Sequence, residues 1–526
     1  MPAVREDKKR QKGFAVIYVA LIGAFVLIPM AGLAIDFGVV YNVKARLQTA
    51  CDAAAIGAGY LLHATTNLSN PTQYNTVINS AQQFFNANYG TSYMGASIAS
   101  YSASATSSTS GKTITVDATA TVPMLFMRVL GIANSTVAAE SVSNVRYIAM
   151  MIVVDRSGSV SKELADTTIQ TDLTGFVADS SSVVVDGVDT VGMVSFGATW
   201  YKDLAPTTHF QTGSPSIGTA ITNLDFNPEG GPWTSGTNTA EGLFQAWTQL
   251  YVMNLPGAQN VIVLLTDGRP SAFTASFPMA HTCNGGNNIK GNLQAYVGLG
   301  SGYPWWPPPG ANNPGNTLGL LQTTLVGMPN NPQDETSELA GPNAGCQYVS
   351  NGITSVANDL ASSNFPSTVG PVDSNALNTA YTYGVGTGLP VTTGIAGTAG
   401  GNPYYVLADQ SANDPQSVRY AAFNAAYNMA TLIRKDTTLS PMMFVIGLNY
   451  TNENTEPLDP DYLAALANDP DYIAAGTDQG SNDVGIVAGG KVFQTGQTPG
   501  MYCDSTPATL ATCFAKISSA LLRLIQ

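Results

Sequence analysis

Five oxygen-bearing side chains have a spacing that suits a divalent cation. Asp155, Ser157 and Ser159 form a D-x-S-x-S pattern, Thr237 lies in GTNTAEGL, and Asp267 lies in TDG. Carboxylate and hydroxyl oxygens are hard ligands of the kind that Mg²⁺ or Mn²⁺ prefers. Because the serines and the threonine are neutral, a bound ion would retain positive charge. The alternative is that these residues stabilise turns, with Thr237 as a helix N-cap.

The segments around these residues alternate between strand and helix patterns. Apolar strands are predicted from Ala149, at 191–196 and in NVIVLLT, and each runs into a polar loop. Strands are also predicted at 441–450 and, as an edge strand, at 490–497, with helices within 416–436, 461–471 and 508–526. This alternation predicts a doubly wound parallel α/β sheet, whose ligands bind beyond the carboxyl ends of the strands.

In this order, the motifs resemble the von Willebrand factor A (vWA) domain and its metal-ion-dependent adhesion site (MIDAS). The resemblance implies a Rossmann-like domain whose metal, Mg²⁺ or Mn²⁺, is held by Asp155, Ser157, Ser159, Thr237 and Asp267. It also implies that a carboxylate of a protein partner occupies an open coordination position. We expect Arg156, inside the first motif, to face solvent.

The first 35 residues predict a membrane anchor. Residues 1–13 carry five basic and two acidic side chains, and the 22 residues at 14–35 carry no charge. Such a run can cross the hydrocarbon core as a helix, and the positive-inside rule places the basic end in the cytoplasm. A cleaved signal peptide is the alternative, although its apolar core would be shorter, about 7–15 residues. We therefore expect a single-pass protein of the cytoplasmic (inner) membrane, with the bulk of the chain periplasmic or extracellular.

The N-terminal segment resembles TadE/TadG-like proteins of Tad/Flp pilus assembly. The likeness rests on the basic start, the apolar run and LQTACDAAAIGAG. Pilins of such systems are cut after a glycine and carry a glutamate five residues on, but the residue five on from Gly13 is Tyr18. We therefore expect an uncut, TadG-like anchor. The predicted layout continues with a helical extension at 36–64, a small α+β spacer at 65–146, and a vWA domain at 147–526 interrupted by an insertion at about 271–415.

Composition and cysteine content narrow the class of protein. The chain of 526 residues has a formal net charge of −14, and only 11% of its residues are charged. Nucleic-acid binding depends on Lys and Arg, so a nucleic-acid partner is excluded. Export permits disulfides: Cys503–Cys513 is the favoured pair, and Cys283 and Cys346 could form a second. Cys51 is left over, and we expect it to pack as a small residue, with an intersubunit bridge as the alternative.

The remaining sequence favours binding over catalysis. Within the predicted insertion, Trp305 and Trp306 could contact a partner peptide or a glycan, although packing against the domain is the preferred interpretation. The sequence contains no GxSxG motif and no histidine placed as a convincing base, so no enzymatic activity is expected. We predict a membrane-anchored protein that binds a pilus or envelope component through the metal. A surface adhesin for host or matrix ligands is the alternative, and an envelope hydrolase is less favoured.

Overall fold

The structure is a computed structural model. It describes residues 16–23, 26, 28–157, 160, 166–179, 182–197, 200–224, 226, 237–255, 257–266, 270, 272–277, 317–322, 426–427, 429–449, 458–473 and 492–524. The chain divides into two compact units, one ending at Arg146 and the other running from Tyr147 to Leu524.

The first unit contains a three-stranded sheet and, among its described elements, the helices α1 (Ile28–Ala64) and α2 (Pro71–Tyr89). Asn70 caps α2, because its side chain accepts hydrogen bonds from the backbone N–H groups of Thr72 and Gln73, and Gly90 ends it with a φ of 81°. Strands β1 (Ser97–Ser107), β2 (Gly111–Pro123) and β3 (Asn134–Arg146) pair antiparallel in that order. The predicted hairpin and the strand after it are therefore confirmed.

Helix α1 covers one face of this sheet. Along β3, every second residue from Val137 to Val145 turns inward except Ser141, which is half-buried. Cys51 of α1 is fully buried, as predicted for a cysteine that packs as a small residue, and burial raises the pKa of its thiol to about 11. Lys112 of β2 is also buried, and its ammonium donates to the backbone carbonyls of His63 and Thr65, which satisfies acceptors at the C-terminal end of α1.

The predicted membrane span is described only in part. Residues 14, 15, 24, 25 and 27 lie outside the described residues, and those described between 16 and 35 are helical. Within the described residues, no helix combines the length and apolar character needed to cross a bilayer.

The second unit contains the predicted α/β sheet. Its strands are β4 (Ile148–Asp155), β5 (Thr190–Phe196), β6 (Trp200–Thr207), β7 (Gln259–Thr266), β10 (Met442–Leu448) and β11 (Met501–Ser505), in the spatial order β11-β10-β7-β4-β5-β6. The first five strands of this order pair parallel, and β6 runs antiparallel to β5 at the edge. β4, β7 and most of β5 are buried, as expected for strands covered on both faces.

Helices lie on this sheet as the alternation predicted. They are α3 (Asp166–Val177), α4 (Ile217–Thr222), α5 (Thr239–Met253), α6 (Pro460–Ala467) and α7 (Leu510–Leu524). A further helical segment, described at 426–427 and 429–435, contributes Tyr427 and Ile433 to the same core as α5. Asp459 caps α6 by accepting from the N–H of Tyr462.

The prediction for the second edge of the sheet was wrong in position. An edge strand was expected at 490–497, but residues 492–500 form turns and irregular chain, and the edge strand is β11. Gly496 has a φ of 82°, which extended backbone does not adopt, and Pro499 cannot donate a ladder hydrogen bond. In the predicted insertion, the described part is a two-stranded antiparallel sheet of β8 (Ala272–Phe277) and β9 (Thr317–Gln322).

Candidate metal centre

The candidate centre lies where three strands end at the same edge of the sheet. Asp155 is the last residue of β4, opposite Phe196 at the end of β5, and Thr266 ends the neighbouring β7. The segment before α5 reaches the same edge, because the N–H of Asn238 donates to the carbonyl of Gly197 at 2.8 Å. Asp155, Ser157 and Thr237 are thereby brought to one edge of the sheet, as predicted.

Asp155 is a fully buried carboxylate with both oxygens hydrogen-bonded. Its Oδ1 accepts from the N–H of Ser157 at 2.8 Å, and its Oδ2 accepts from the hydroxyl of Thr266 at 2.6 Å. Burial raises its pKa to about 6, although these hydrogen bonds oppose the shift. The bond from Ser157 also makes the local turn that was the alternative interpretation of the motif, so Asp155 has a structural contact in addition to any ligand it holds.

Ser157 and Thr237 are both buried, with exposed fractions of 2% and 6%. The alternative that Thr237 is a helix N-cap is wrong. Asn238 caps α5 instead, with its side chain accepting from the N–H of Glu241 at 3.2 Å. The cap thus begins one residue after Thr237, so the threonine hydroxyl is not the group that caps α5.

Helix α5 packs closely on the sheet at Gly242. A Cβ added at Gly242 would lie 2.6 Å from Cδ1 of Phe196 and 3.1 Å from Cγ1 of Val153. Phe196 and Val153 are both fully buried, so neither ring nor methyl group has room to move away. The glycine in TAEGL therefore sets how close the first turn of α5, and with it Thr237, comes to the strand ends.

The other predicted ligands lie outside the described residues. Ser159 and Asp267 are in this group, as are Trp305 and Trp306, the candidate ligand contacts. Among the described residues, no three or more His, Cys, Asp or Glu side chains cluster as a metal site. The predicted ligand set is rich in hydroxyl groups and includes Asp155 as its one described carboxylate, and such a donor set suits a hard divalent cation.

Sequence reasoning missed an ion pair beside the centre, and the expectation that Arg156 faces solvent was wrong. Arg156 is only 6% exposed; its Nη1 donates to the hydroxyl of Ser195 at 3.2 Å and lies 3.9 Å from Oδ1 of Asp203 on β6. Burial raises the pKa of Asp203 to about 7, against the opposing charge of Arg156. A cavity of about 380 Å³ adjoins this pair, lined by Arg156, Tyr201, Asp203, Pro215, Ala220 and Asn223.

At the far edge of the sheet the predicted disulfide is confirmed. Cys503 of β11 and Cys513 of α7 are bonded, with their Cα atoms 5.8 Å apart. The bridge joins the last strand to the last helix. Cys283 and Cys346 lie outside the described residues.

Two protein families match separate parts of the chain. Residues 13–61 match the family described as "Putative Flp pilus-assembly TadE/G-like", and residues 150–289 match the von Willebrand factor type A domain. The second match includes all five predicted metal ligands. No curated protein sequence matches the chain.

Several solved structures are remotely similar. The PilB minor pilin from Streptococcus sanguinis is 14% identical, with 83% of this chain and 80% of that chain covered and a TM-score of 0.32. The vWF domain of the type V pili tip protein Mfa5 from Porphyromonas gingivalis is 16% identical over 73% of this chain and 98% of that chain, with a TM-score of 0.30. The pilus adhesin SpaC from Lactobacillus rhamnosus GG, in its open conformation, is 11% identical over 81% of this chain and 34% of that chain, with a TM-score of 0.29.

The family matches coincide with the two segments where the sequence motifs pointed to these families, and the second unit has the α/β sheet that the vWA resemblance implied. The chain combines a TadE/G-like N-terminal segment with a von Willebrand factor type A domain.

Proposed function

We propose that this chain is a membrane-anchored protein of Tad/Flp pilus assembly or adhesion. Its vWA domain would bind an acidic side chain of a pilus or envelope protein through Mg²⁺ or Mn²⁺. The observation that carries the metal proposal is the buried carboxylate of Asp155 at the end of the central strand β4, beside the buried Ser157. The TadE/G-like segment supports the pilus context.

The chemistry of the strand ends supports a divalent cation there. A buried carboxylate is costly unless charge or hydrogen bonds compensate it. The guanidinium next to Asp155 in the chain is directed to Asp203 and Ser195. A cation held by Asp155, Ser157, Ser159, Thr237 and Asp267 would supply the compensating charge. The hydroxyl ligands would leave that cation electropositive enough to attract a partner's carboxylate.

The anchor is part of the same proposal. The basic residues 1–13 would stay in the cytoplasm and the uncharged residues 14–35 would cross the inner membrane, so that the vWA domain is displayed outside the cytoplasm. We propose a binding function rather than a catalytic one, since the chemistry of the site is that of a cation with an open position for a partner.

Thermal unfolding of the full chain, purified in detergent and stripped of metal, tests the metal proposal. Added Mg²⁺ should raise the unfolding temperature of the wild type, since a ligand at 100 times its dissociation constant stabilises by about 2.7 kcal/mol. Asp155→Asn should abolish this Mg²⁺-dependent increment. Asp471→Asn is the matched control, because Asp471 is an exposed carboxylate of the same unit and should leave the increment unchanged.

Two results would contradict the metal proposal: a wild type that responds to neither Mg²⁺ nor Mn²⁺, or an increment that survives Asp155→Asn.

Capture from the native envelope tests the partner. The proposal expects pilus components to bind in Mg²⁺ and to elute in EDTA. Recovery of host or matrix glycoproteins instead would support the adhesin alternative, and substrate hydrolysis that persists in Asp155→Asn would support an enzyme.

A further inference from the structure

The connection between β2 and β3 exposes an unusual number of apolar side chains. Its 3₁₀ turn, Met127–Leu130, contains no buried residue. Val129 is 86% exposed and Leu130 is 68% exposed. We call this feature the apolar turn; it consists of Leu125, Phe126, Val129, Leu130 and Ile132, all exposed. Strand connections in water are usually polar, so a contiguous apolar cluster of this kind marks a surface that something covers.

The apolar turn is fixed to the N-terminal part of α1. The carboxylate of Asp36 accepts three backbone hydrogen bonds, from the N–H groups of Leu125 at 2.9 Å, Phe126 at 2.9 Å and Met127 at 2.7 Å. Desolvation tends to raise the pKa of Asp36, but these bonds outweigh it and the pKa lies below its ordinary value. One helical turn earlier, Gly32 packs on Phe126: a Cβ added there would lie 2.5 Å from Cγ of the ring.

These two contacts place the apolar turn beside the end of the predicted membrane span. Gly32 lies inside the uncharged run at 14–35, and Asp36 is the first charged residue after it. The two are about 6 Å apart along a helix that rises 1.5 Å per residue. Around them α1 also exposes apolar side chains, among them Met30 and Ile35. Two apolar surfaces therefore lie next to each other at the level where the predicted span would leave the bilayer.

The charge of this region suits a lipid headgroup layer. Between Asp117 and Glu140 the single charged residue is Arg128, which lies in sequence between Phe126 and Val129 of the apolar turn and is exposed. An arginine at the membrane surface can keep its guanidinium among headgroup phosphates while its aliphatic part lies with neighbouring apolar side chains. One basic residue among five apolar ones is the composition of a segment that inserts at an interface.

We propose that the apolar turn inserts into the non-cytoplasmic leaflet of the membrane beside the anchor helix. The occupant of this surface is lipid, because the surface continues the uncharged run of the anchor and is fixed to that helix by Asp36 and Gly32. Anchor and turn together give the first unit two points of attachment to the bilayer. This inference rests on the membrane anchor of the proposed function.

Nitroxide labelling of the full chain in phosphatidylcholine–phosphatidylglycerol vesicles tests the inference. Single cysteines replace Val129 in the turn, Val19 in the predicted span, and Val142 on β3. Val142 is the control away from the turn: it is also exposed, and it lies eight residues, about 27 Å, along β3 from Asn134, where the strand begins. The wild-type chain, labelled in parallel, gives the background from native cysteines. The measurement is the accessibility of each label to oxygen, which concentrates in lipid, relative to that of a water-soluble nickel chelate.

The inference expects a ratio at Val129→Cys close to that at Val19→Cys and several-fold above that at Val142→Cys. A water-like ratio at 129 with a lipid-like ratio at 19 would overturn the inference and leave the anchor intact. A water-like ratio at both positions would overturn the anchor as well. A label at 129 that is shielded from both reagents would show that protein, either a second copy of the chain or a partner, covers the turn, and this too would overturn the inference.

Discussion

At the scale of single residues, two carboxylates are held in different surroundings near the candidate centre, Asp155 at the end of β4 and Asp203 on β6. Asp155 is fully buried and the side chain of Asp203 is 6% exposed, and burial raises their pKa values to about 6 and about 7. Their neighbours differ: Asp155 accepts from Ser157 and Thr266, whereas Asp203 lies next to Arg156. Asp155 is the candidate metal ligand. Asp203 instead orders Arg156, the residue after Asp155 in the motif.

The raised pKa of Asp203 predicts how stability depends on pH. In the metal-free folded chain Asp203 binds a proton up to about pH 7, whereas in the unfolded chain it releases the proton near the ordinary aspartate pKa of 3.8. The folded state therefore binds more protons between these pH values, and the free energy of unfolding should fall as pH rises from about 4 to about 7. Asp203→Asn should reduce this slope, measured by thermal unfolding in EDTA from pH 4 to pH 8.

Asp155 contributes a slope of the same sign, so some dependence should remain in Asp203→Asn. The exposed Asp471→Asn is again the matched control and should keep the full wild-type slope. A slope in Asp203→Asn equal to that of the wild type would mean that Asp203 is already ionised in the folded chain at low pH.

Among the secondary-structure elements, α5 depends on a missing side chain at Gly242. Gly242→Ala should destabilise the fold by about 1–3 kcal/mol, the usual cost of adding a methyl group to a filled core. The reason is the contact of the added Cβ with Phe196 and Val153. The change should also weaken any Mg²⁺-dependent stabilisation, since it would move the first turn of α5 away from the strand ends. Denaturant unfolding with and without Mg²⁺ measures both effects.

Gly175→Ala is the matched control for this element. Gly175 lies in α3 of the same unit, and a Cβ added there would meet nothing within 4 Å. This substitution should be neutral or stabilise by about 0.4–1 kcal/mol, because alanine restricts the unfolded chain. If both substitutions had the same effect, the close approach of α5 to β5 would not be what Gly242 provides.

The sequence predicted the buried elements of the vWA domain better than its edges. Strands such as β4 and β7 are continuous apolar runs. A run of that kind can be predicted as a buried strand from its own residues, without knowing which strands pair with it. β6 was not predicted because WYKDLAPT has neither a continuous nor an alternating apolar pattern, and Pro206 in it is tolerated only at a sheet edge. The burial of Arg156 could not be foreseen for the same reason, since its partner Asp203 lies on that strand.

In the first unit, contacts between residues far apart in the sequence could not be predicted either. The D-x-S-x-S, threonine and TDG segments could be assigned to one edge because parallel strands place their carboxyl ends together. No comparable rule connects Asp36 with the N–H groups of residues 125–127, some 90 positions later. An acidic residue directly after an apolar run indicates where a span ends, but not that its carboxylate holds a turn of another element.

At the scale of the whole molecule, the two units are expected to respond differently to metal. If Mg²⁺ binds at the strand ends of the second unit, hydrogen exchange of the full chain should slow in peptides that contain the ends of β4, β5 and β7. Peptides from α1, α2 and β1–β3 should exchange at unchanged rates, because the candidate ligands all come from residues after Tyr147. Mass spectrometry of exchanged peptides measures this. Slowing throughout the chain would refute a metal site confined to the second unit.

The junction between the units has a mechanical consequence. β3 ends at Arg146 and β4 begins at Ile148, so a single residue joins the first unit to the central strand of the six-stranded sheet. Asp155, the candidate ligand, is at the opposite end of that strand. If the partner and the anchor of the proposed function were pulled apart, the tension would enter the second unit at Ile148 and leave it near Asp155, at the two ends of the same strand. The covalent backbone of β4 would then carry that load, and its hydrogen bonds to β5 and β7 would be spared.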